Sequence, residues 1–442
     1  MVPDLLIQNA RMLSMVSPAE PWTEELYFLK IRAGVISEIG KMGMLTGGEA
    51  AGRRIDAAGA LLMPGLVNTH THAAMTLFRG LADDLPLMTW LQEHIFPAEA
   101  RFVDEEMVYW CSKLAAAEMI LSGTTTVADG YFYEDAAARA FCDAGIRAVA
   151  AQGVIDFPAP GVPDPLLNVD AAAAYVERWQ GKNRLLTPAV FCHSPYTCSP
   201  ETLVRAKELA AGAKVPYFIH LAETRQEVKL VQEKYGKSPV ALLNDLGVLD
   251  RQTICVHCVW LSEEDLALLA DSGAAVSSCP ESNLKLASGT APLERLRAKG
   301  VPVGLGTDGC ASNNDLDMFG EMDACAKIHK GVTEDPTVMP ARQVLEMATL
   351  TGATILGLGN ETGSLVPGKL ADCILVDLDQ PHLTPFYHPD TLVYAACAAD
   401  VRTAIINGEV VMENRRICTF DLAETMEKVR RLAGQVKKKP SS

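Results

Sequence analysis

A chain of 442 residues is too long for one small core and suits a large barrel with an accessory domain. Hydrophobic residues make up 49% and charged residues 21%, an ordinary globular balance that excludes fibrous and disordered classes. A net charge of -16 argues against a nucleic-acid partner, because phosphate binding needs a basic face to release counterions, so the expected partner is a small molecule.

The opening run MVPDLLIQNARMLSM carries an acid at Asp4 and no long apolar segment, so it does not read as a signal peptide. No stretch approaches the roughly 18 uninterrupted apolar residues of a membrane span, and a cytoplasmic protein is expected. The 12 cysteines, scattered through core-like runs, fit free thiols in a reducing compartment. Cys255 and Cys258 form a CxxC, but no second pair lies nearby, and on a strand they would point to opposite faces. The basic run Lys437 to Lys439 reads as a solvated terminus.

Residues 1 to 61 hold β-branched runs with Gly turns, LLIQNARMLSM and ELYFLKIRAGVISEIGKM. From 62 to 361, short apolar runs alternate with longer helical patterns, the sign of a parallel sheet built from strand-helix units. The strand candidates are LVNTHTH, TTTVADG, RAVAAQGV, LTPAVFCH, PYFIHLAE, TICVHCV, AAVSSCP and VPVGLGTDG; the count of eight predicts an α/β fold with a TIM-type (β/α)8 barrel. Between them, VDEEMVYWCSKLAAAEMILSG has helical spacing and stops at Gly123. Ala341 to Leu358 reads as one helix leading back to the flank. Residues 362 to 442 bring further β runs, including INGEV, and a tail. The two chain ends are expected to form one composite β-sandwich, since each alone is too short to bury two faces.

The chemistry gathers at the strand ends. His70 and His72 close LVNTHTH, and residues two apart on a strand face the same side, so both can hold one ion. His220 closes PYFIHLAE, His257 closes TICVHCV and Asp308 closes VPVGLGTDG. Imidazoles with a carboxylate form a ligand set for a zinc-like divalent cation, and a bound zinc lowers the pKa of its water to about 7, which implies hydrolysis. His257 fits either a ligand or a neighbour of the hydroxide. Glu223, three residues after His220, can pass a proton between water and a substrate ring nitrogen; its alternative is a cap on the helix TRQEVKLVQ. The His-x-Glu and Pro-Cys-x-x-Cys signature of the compact deaminase fold is absent, as is His-Glu-x-x-His.

MPGLVNTHTHAAMTLFRGLADDLPLMTWLQ, HSPYTCS, HLAE, SNLKLASG and GTDGCASNNDLDMFGEM resemble the amidohydrolase superfamily, and most closely its 5-methylthioadenosine/S-adenosylhomocysteine deaminases. The likeness runs from the first sandwich strands to about residue 415. The resemblance implies metal ligands at His70, His72, His220 and Asp308, with His257 beside the hydroxide and one divalent ion per chain, zinc or iron(II). It implies that Glu223 handles the purine N1 proton, that Asp308 takes the proton from water, that Glu99 holds the ribose hydroxyls and that His193 meets the purine edge. Arg147 matches a basic residue at the amino-acid end of the larger substrate; its alternative is an ordinary salt-bridged barrel residue. This sequence departs from the pattern in two places: the loop DFPAPGVPDPLLN has no basic residue, and Ser278 stands where relatives commonly have histidine.

The expected reaction is hydrolytic deamination of an adenosine-type nucleoside to its inosine analogue and ammonia. An aminohydrolase or chlorohydrolase of free purines or s-triazines is the alternative enzyme, and a catalytically silent barrel used as a scaffold is the alternative from another class. No membrane partner is expected, and a homo-oligomer is compatible with the sequence.

Overall fold

Each apolar run picked out between 62 and 361 becomes a strand in the computed structural model, which describes residues 3–16, 22–45 and 50–437. The basic run Lys437 to Lys439 lies outside the described residues apart from the backbone of Lys437. The eight strands are Leu66–Thr71, Thr124–Tyr131, Arg147–Val154, Leu186–Cys192, Tyr217–Leu221, Thr253–His257, Ala275–Ser278 and Val303–Leu305, adjacent in the sheet in chain order. They are short and almost wholly buried, as parallel strands covered by helices must be. Polar bonds tie the first strand to the segment of the last: Thr69 Oγ1 donates to the Leu305 carbonyl at 2.8 Å, and Asp308 N donates to the His70 carbonyl at 3.0 Å.

Register sets the chemistry of the rim. Ile219 pairs with Cys192 and Leu221 with His257, so the residues that follow those pairs emerge together at one end. Accordingly His220 N donates to the His193 carbonyl at 3.2 Å and His193 N to the Val154 carbonyl at 3.0 Å.

A separate nine-stranded sheet joins the two chain ends. Leu5–Met12 pairs antiparallel with Tyr27–Arg32, and Leu61–Pro64 pairs antiparallel with Cys373–Val376, which brings N- and C-terminal strands into one layer. Its core includes Ile7, Leu29, Ile31, Leu62, Leu375 and Ile405. The INGEV run forms the expected hairpin between Val401–Ile406 and Glu409–Glu413, with Asn407 and Gly408 both at positive φ, 52° and 81°, as a type I′ turn requires.

Two details differ from the sequence pattern. The helix expected from Ala341 to Leu358 is broken into Ala341–Met347 and Leu350–Ile355, because Thr349 leaves helical geometry (φ −135°, ψ −99°) and its hydroxyl bonds back to the Leu345 carbonyl. The last helix, Leu422–Lys437, belongs to the same compact unit as the barrel residues 127–316, whereas Asp317–Phe420 groups with the N-terminal strands. All twelve cysteines are free. Among the described residues no helix is long and apolar enough to cross a membrane.

Gly306 in the GTDG run is required by close approach: a Cβ there would sit 2.6 Å from the His70 nitrogen, a backbone atom that cannot rotate away. Gly306→Ala is therefore expected to destabilise the protein by about 1–3 kcal/mol, the usual cost of overpacking. Denaturant titration of purified variant and parent checks it; equal midpoints would show that the strand shifts freely.

Candidate functional site

The strand ends converge on a cavity lined by His72, Glu99, His193, His220, Glu223, His257 and Asp308 among others. His70, His72 and His220 bring ring nitrogens within 4.8 Å of one another. His70 Nε2 lies 3.3 Å from His220 Nε2, and both His70 Nε2 and His72 Nε2 lie 3.5 Å from Asp308 Oδ1. Donors about 2.0–2.1 Å from one tetrahedral ion stand roughly 3.3–3.4 Å apart, so this spacing fits a single divalent cation.

Electrostatics agree with that fit. Burial holds His70 down to about 4 and His220 well below the usual histidine range, the latter reinforced by its neighbouring histidines. Both rings are therefore neutral at pH 7, and their Nε2 atoms stand 3.3 Å apart, a spacing that one shared cation would fit. Burial lifts the Asp308 carboxyl, but the hydrogen bond with His70 and the charges of His72 and His257 prevail and hold it well below the carboxylate range.

Two of the four donors, His72 and Asp308, are aimed by further bonds, as are the neighbours of the cluster. His72 Nδ1 donates to the Gly130 carbonyl at 2.6 Å, which leaves its Nε2 lone pair for the ion. Ser282 and Ser312 donate to Asp308 Oδ2 at 2.7 and 2.9 Å, leaving Oδ1 toward the histidines. Asp129 Oδ1 accepts from Ala73 N at 2.7 Å and pins the turn just past His72. His257 Nδ1 lies 3.0 Å from Asn283 Oδ1, so Nδ1 carries the proton, and its Nε2 faces Glu223 Oε2 at 3.9 Å. His193 Nδ1 is engaged by Thr197 Oγ1 at 3.0 Å, and burial holds the ring down to about 3.

Glu223 does not cap the following helix. Thr224 does, accepting from Glu227 N, and Glu227 folds back so that its two oxygens accept from Ala222 N and Glu223 N, each at 2.8 Å. Ala222 holds a positive φ of 52°, and this double contact supports that conformation. Glu223 itself accepts from Ser288 Oγ at 3.1 Å, and burial pushes its carboxyl up. On the opposite wall, Tyr131 OH donates to Glu99 Oε1 at 2.7 Å; burial pushes Glu99 up to about 7, against that bond.

Arg147 is not part of this group. It opens the strand Arg147–Val154 at the amino end, seven residues before Val154, roughly 23 Å along the strand at about 3.3 Å per residue. Its Nη1 donates to the Arg184 carbonyl at 3.0 Å, at the end of the barrel away from the cavity. The expectation that it meets a substrate is corrected accordingly. Ser278 is buried and does not line the cavity; its carbonyl accepts from Gly306 N at 2.9 Å. Sequence reasoning missed Glu227, Asn283, Tyr131, Ser282 and Ser312. For Glu227 a signal existed, the T-x-x-E capping-box spacing directly after HLAE.

The Amidohydrolase family model matches residues 61–411. The chain is 49% identical over 435 residues to a 5-methylthioadenosine/S-adenosylhomocysteine deaminase of Syntrophobacter fumaroxidans, covering 98% of each chain. It is 45% identical over 438 residues to a 5'-deoxyadenosine deaminase of Methanosarcina mazei, again covering 98% of each. Among solved structures, an adenosine deaminase from Xanthomonas campestris with bound zinc superposes with a TM-score of 0.95 at 37% identity, covering 99% of both chains.

Glu227→Gln presents one good acceptor to two N–H groups. It is expected to lower kcat about tenfold or more, the loss of one charge-assisted hydrogen bond, with bound metal unchanged. Steady-state kinetics beside elemental analysis check it, and an unaltered kcat would show that the segment holds its shape without Glu227.

Proposed function

The chain belongs to the amidohydrolase family and is a metal-dependent hydrolytic deaminase, and from that premise we propose that its substrates are adenosine-type nucleosides with an apolar 5' end, handled by the residues gathered at the cavity. The observation that carries the reading is the pairing of a four-donor cluster with a buried carboxylate, Glu99, on the facing wall. A vicinal diol donates two parallel hydrogen bonds to such a carboxylate, while in this reading other residues of the cavity already hold the ring. This is the ground for preferring nucleosides over free bases.

His70, His72, His220 and Asp308 would hold one divalent ion, zinc or iron(II), which when bound supplies the Lewis acidity that makes water a nucleophile near neutral pH. Glu223, its carboxyl pushed up by burial and aimed by Ser288, would pass a proton to the purine N1 and regain one from the new C6 hydroxyl, while the proton that Asp308 takes from water goes to the amino group, which departs as ammonia. Asp308, held as the carboxylate, takes the proton that the attacking water loses. His257, its Nδ1 held by Asn283 Oδ1, presents Nε2 beside Glu223, where it would orient the attacking oxygen. His193, neutral and fixed by Thr197, meets the purine edge.

Leu87, Trp90, Leu91, Phe96, Phe132 and Leu286 line the cavity, an apolar surface that would suit an uncharged 5' substituent, and no Lys or Arg is among the described lining residues. With Arg147 at the far end of its strand, a substrate carboxylate finds no cation there. The reading extends to a cytoplasmic enzyme acting on a diffusible small molecule, supported by twelve free cysteines that suit a reducing compartment.

Ammonia release from methylthioadenosine, 5'-deoxyadenosine, adenosine, S-adenosylhomocysteine, guanine and a triazine tests the assignment. Methylthioadenosine or 5'-deoxyadenosine should match or exceed S-adenosylhomocysteine in kcat/KM; a free base outperforming every nucleoside would overturn the nucleoside reading.

Glu223→Gln fills the same volume but cannot relay a proton, so turnover should fall by roughly 10²- to 10⁴-fold with fold and bound metal retained. Single-turnover kinetics read this directly, and near-parent rates would remove Glu223 from the chemistry.

Because burial raises Glu99 to about 7, the carboxylate that grips two hydroxyls is present above that pH and lost below it. KM for nucleosides should therefore fall as pH rises through about 7, and Glu99→Gln should raise KM and flatten that dependence. KM profiles of the two proteins measured from pH 5.5 to about 8.5 decide it; a profile unchanged by the substitution counts against Glu99 as the ribose contact.

A further inference from the structure

Among the described residues, a second group of mixed donors lies in the sheet-forming unit, apart from the cavity. His382, on the turn Pro381–Leu383, meets Cys397 and Asp400, which bracket the turn Ala398–Asp400, with an imidazole nitrogen, a thiol sulfur and a carboxylate oxygen all within 4.8 Å of one another. His382 Nε2 stands 2.9 and 3.1 Å from the two Asp400 oxygens, and Cys397 N donates to Asp400 Oδ2 at 2.8 Å. Asp400 is buried while His382 and Cys397 are exposed, so the donors form a rigid base with a face that solvent reaches. A second carboxylate stands close by, since Asp317 Oδ2 accepts from Ala398 N at 3.3 Å, and it adds to the negative field around the thiol.

We propose that His382, Cys397 and Asp400 bind one thiophilic divalent cation of the zinc class, a site distinct from the catalytic one and completed by water. The donor set decides the class of ion: sulfur and nitrogen beside one carboxylate favour zinc, cadmium or cobalt over magnesium and calcium, which take oxygen ligands. The present His382 to Asp400 separation is near what two donors on one tetrahedral ion require, so the backbone need not move. Binding releases the thiol proton of Cys397 to solvent and shifts the His382 ring proton from Nε2 to Nδ1, which turns both lone pairs to the ion. An ion held there clamps the two turns that flank the helix Thr391–Ala395.

A readout separates this site from the catalytic cluster, whose four donors include no sulfur. Full-length protein carrying its catalytic equivalent is titrated with zinc, and a parallel sample is reconstituted with cobalt(II) at about pH 8, near the ordinary thiol range. The expected result is uptake of a second equivalent and a thiolate-to-cobalt charge-transfer band. Cys397→Ser should lose the band and the second equivalent while retaining turnover, whereas Cys418→Ser, which alters the other exposed thiol, should keep both. His382→Gln gives an independent variant and should weaken the second equivalent tenfold or more. A parent protein that takes up one equivalent and shows no thiolate band would overturn the proposal and leave His382 and Asp400 as an ion pair; so would a band that survives Cys397→Ser.

Discussion

Three imidazoles, His70 buried and His72 and His220 half-buried, bring ring nitrogens within 4.8 Å of one another, and most of the barrel's upper end follows from that arrangement. Burial removes the water that would otherwise solvate these nitrogens and keeps His70 and His220 unprotonated, so the cluster is stable as a receptor for positive charge. Asp308 supplies the opposite sign and is itself kept ionised by the same histidines. The mutual dependence explains the number of outer contacts. Gly130, Ser282, Ser312, Asn283 and Asp129 each fix one member or its backbone, because a ring or carboxylate free to turn would spoil the convergence.

That convergence strains the chain where strands end. His257, Cys258, Ala222 and Asp308 all hold positive φ, between 52° and 72°, an uncommon conformation for residues with side chains. Each is over-determined by bonds to its surroundings. Cys258 N reaches the Leu221 carbonyl, Ala222 N reaches Glu227, and Asp308 N reaches the His70 carbonyl. The strand register supplies the first layer of this support, and side chains from the following helices supply the second. Function thus sits on the least regular backbone, held by the most regular part of the fold.

Across the cavity the physics reverses. An apolar wall of Leu, Trp and Phe faces the ion cluster, with Glu99 as a polar point held by Tyr131. Such a wall favours an apolar substituent and gives a carboxylate no partner, so selectivity at the 5' end comes from what is missing as much as from what is present. Burial pushes the carboxyl of Glu99 up to about 7, against the hydrogen bond from Tyr131, so this polar point changes charge in the neutral range.

The sequence by itself determined the eight strands, the joining of both chain ends in one sheet and the histidines that close the strands, because a short apolar run with a histidine at its end is a local signal. Glu223 was legible for the same reason, from its spacing to His220. The break at Thr349 was less legible, since a helical apolar pattern continues across it and the hydroxyl bond that ends the first helix is a geometric event. Arg147 shows the limit most clearly. A basic residue in a strand motif reads as a ligand contact until the fold decides which end of the strand it occupies, and here it occupies the amino end while every donor occupies the other. Glu227, Asn283, Tyr131 and the two serines are likewise decided by tertiary structure alone, because their roles rest on hydrogen bonds to residues brought near by barrel closure or by a helix folding back on its strand.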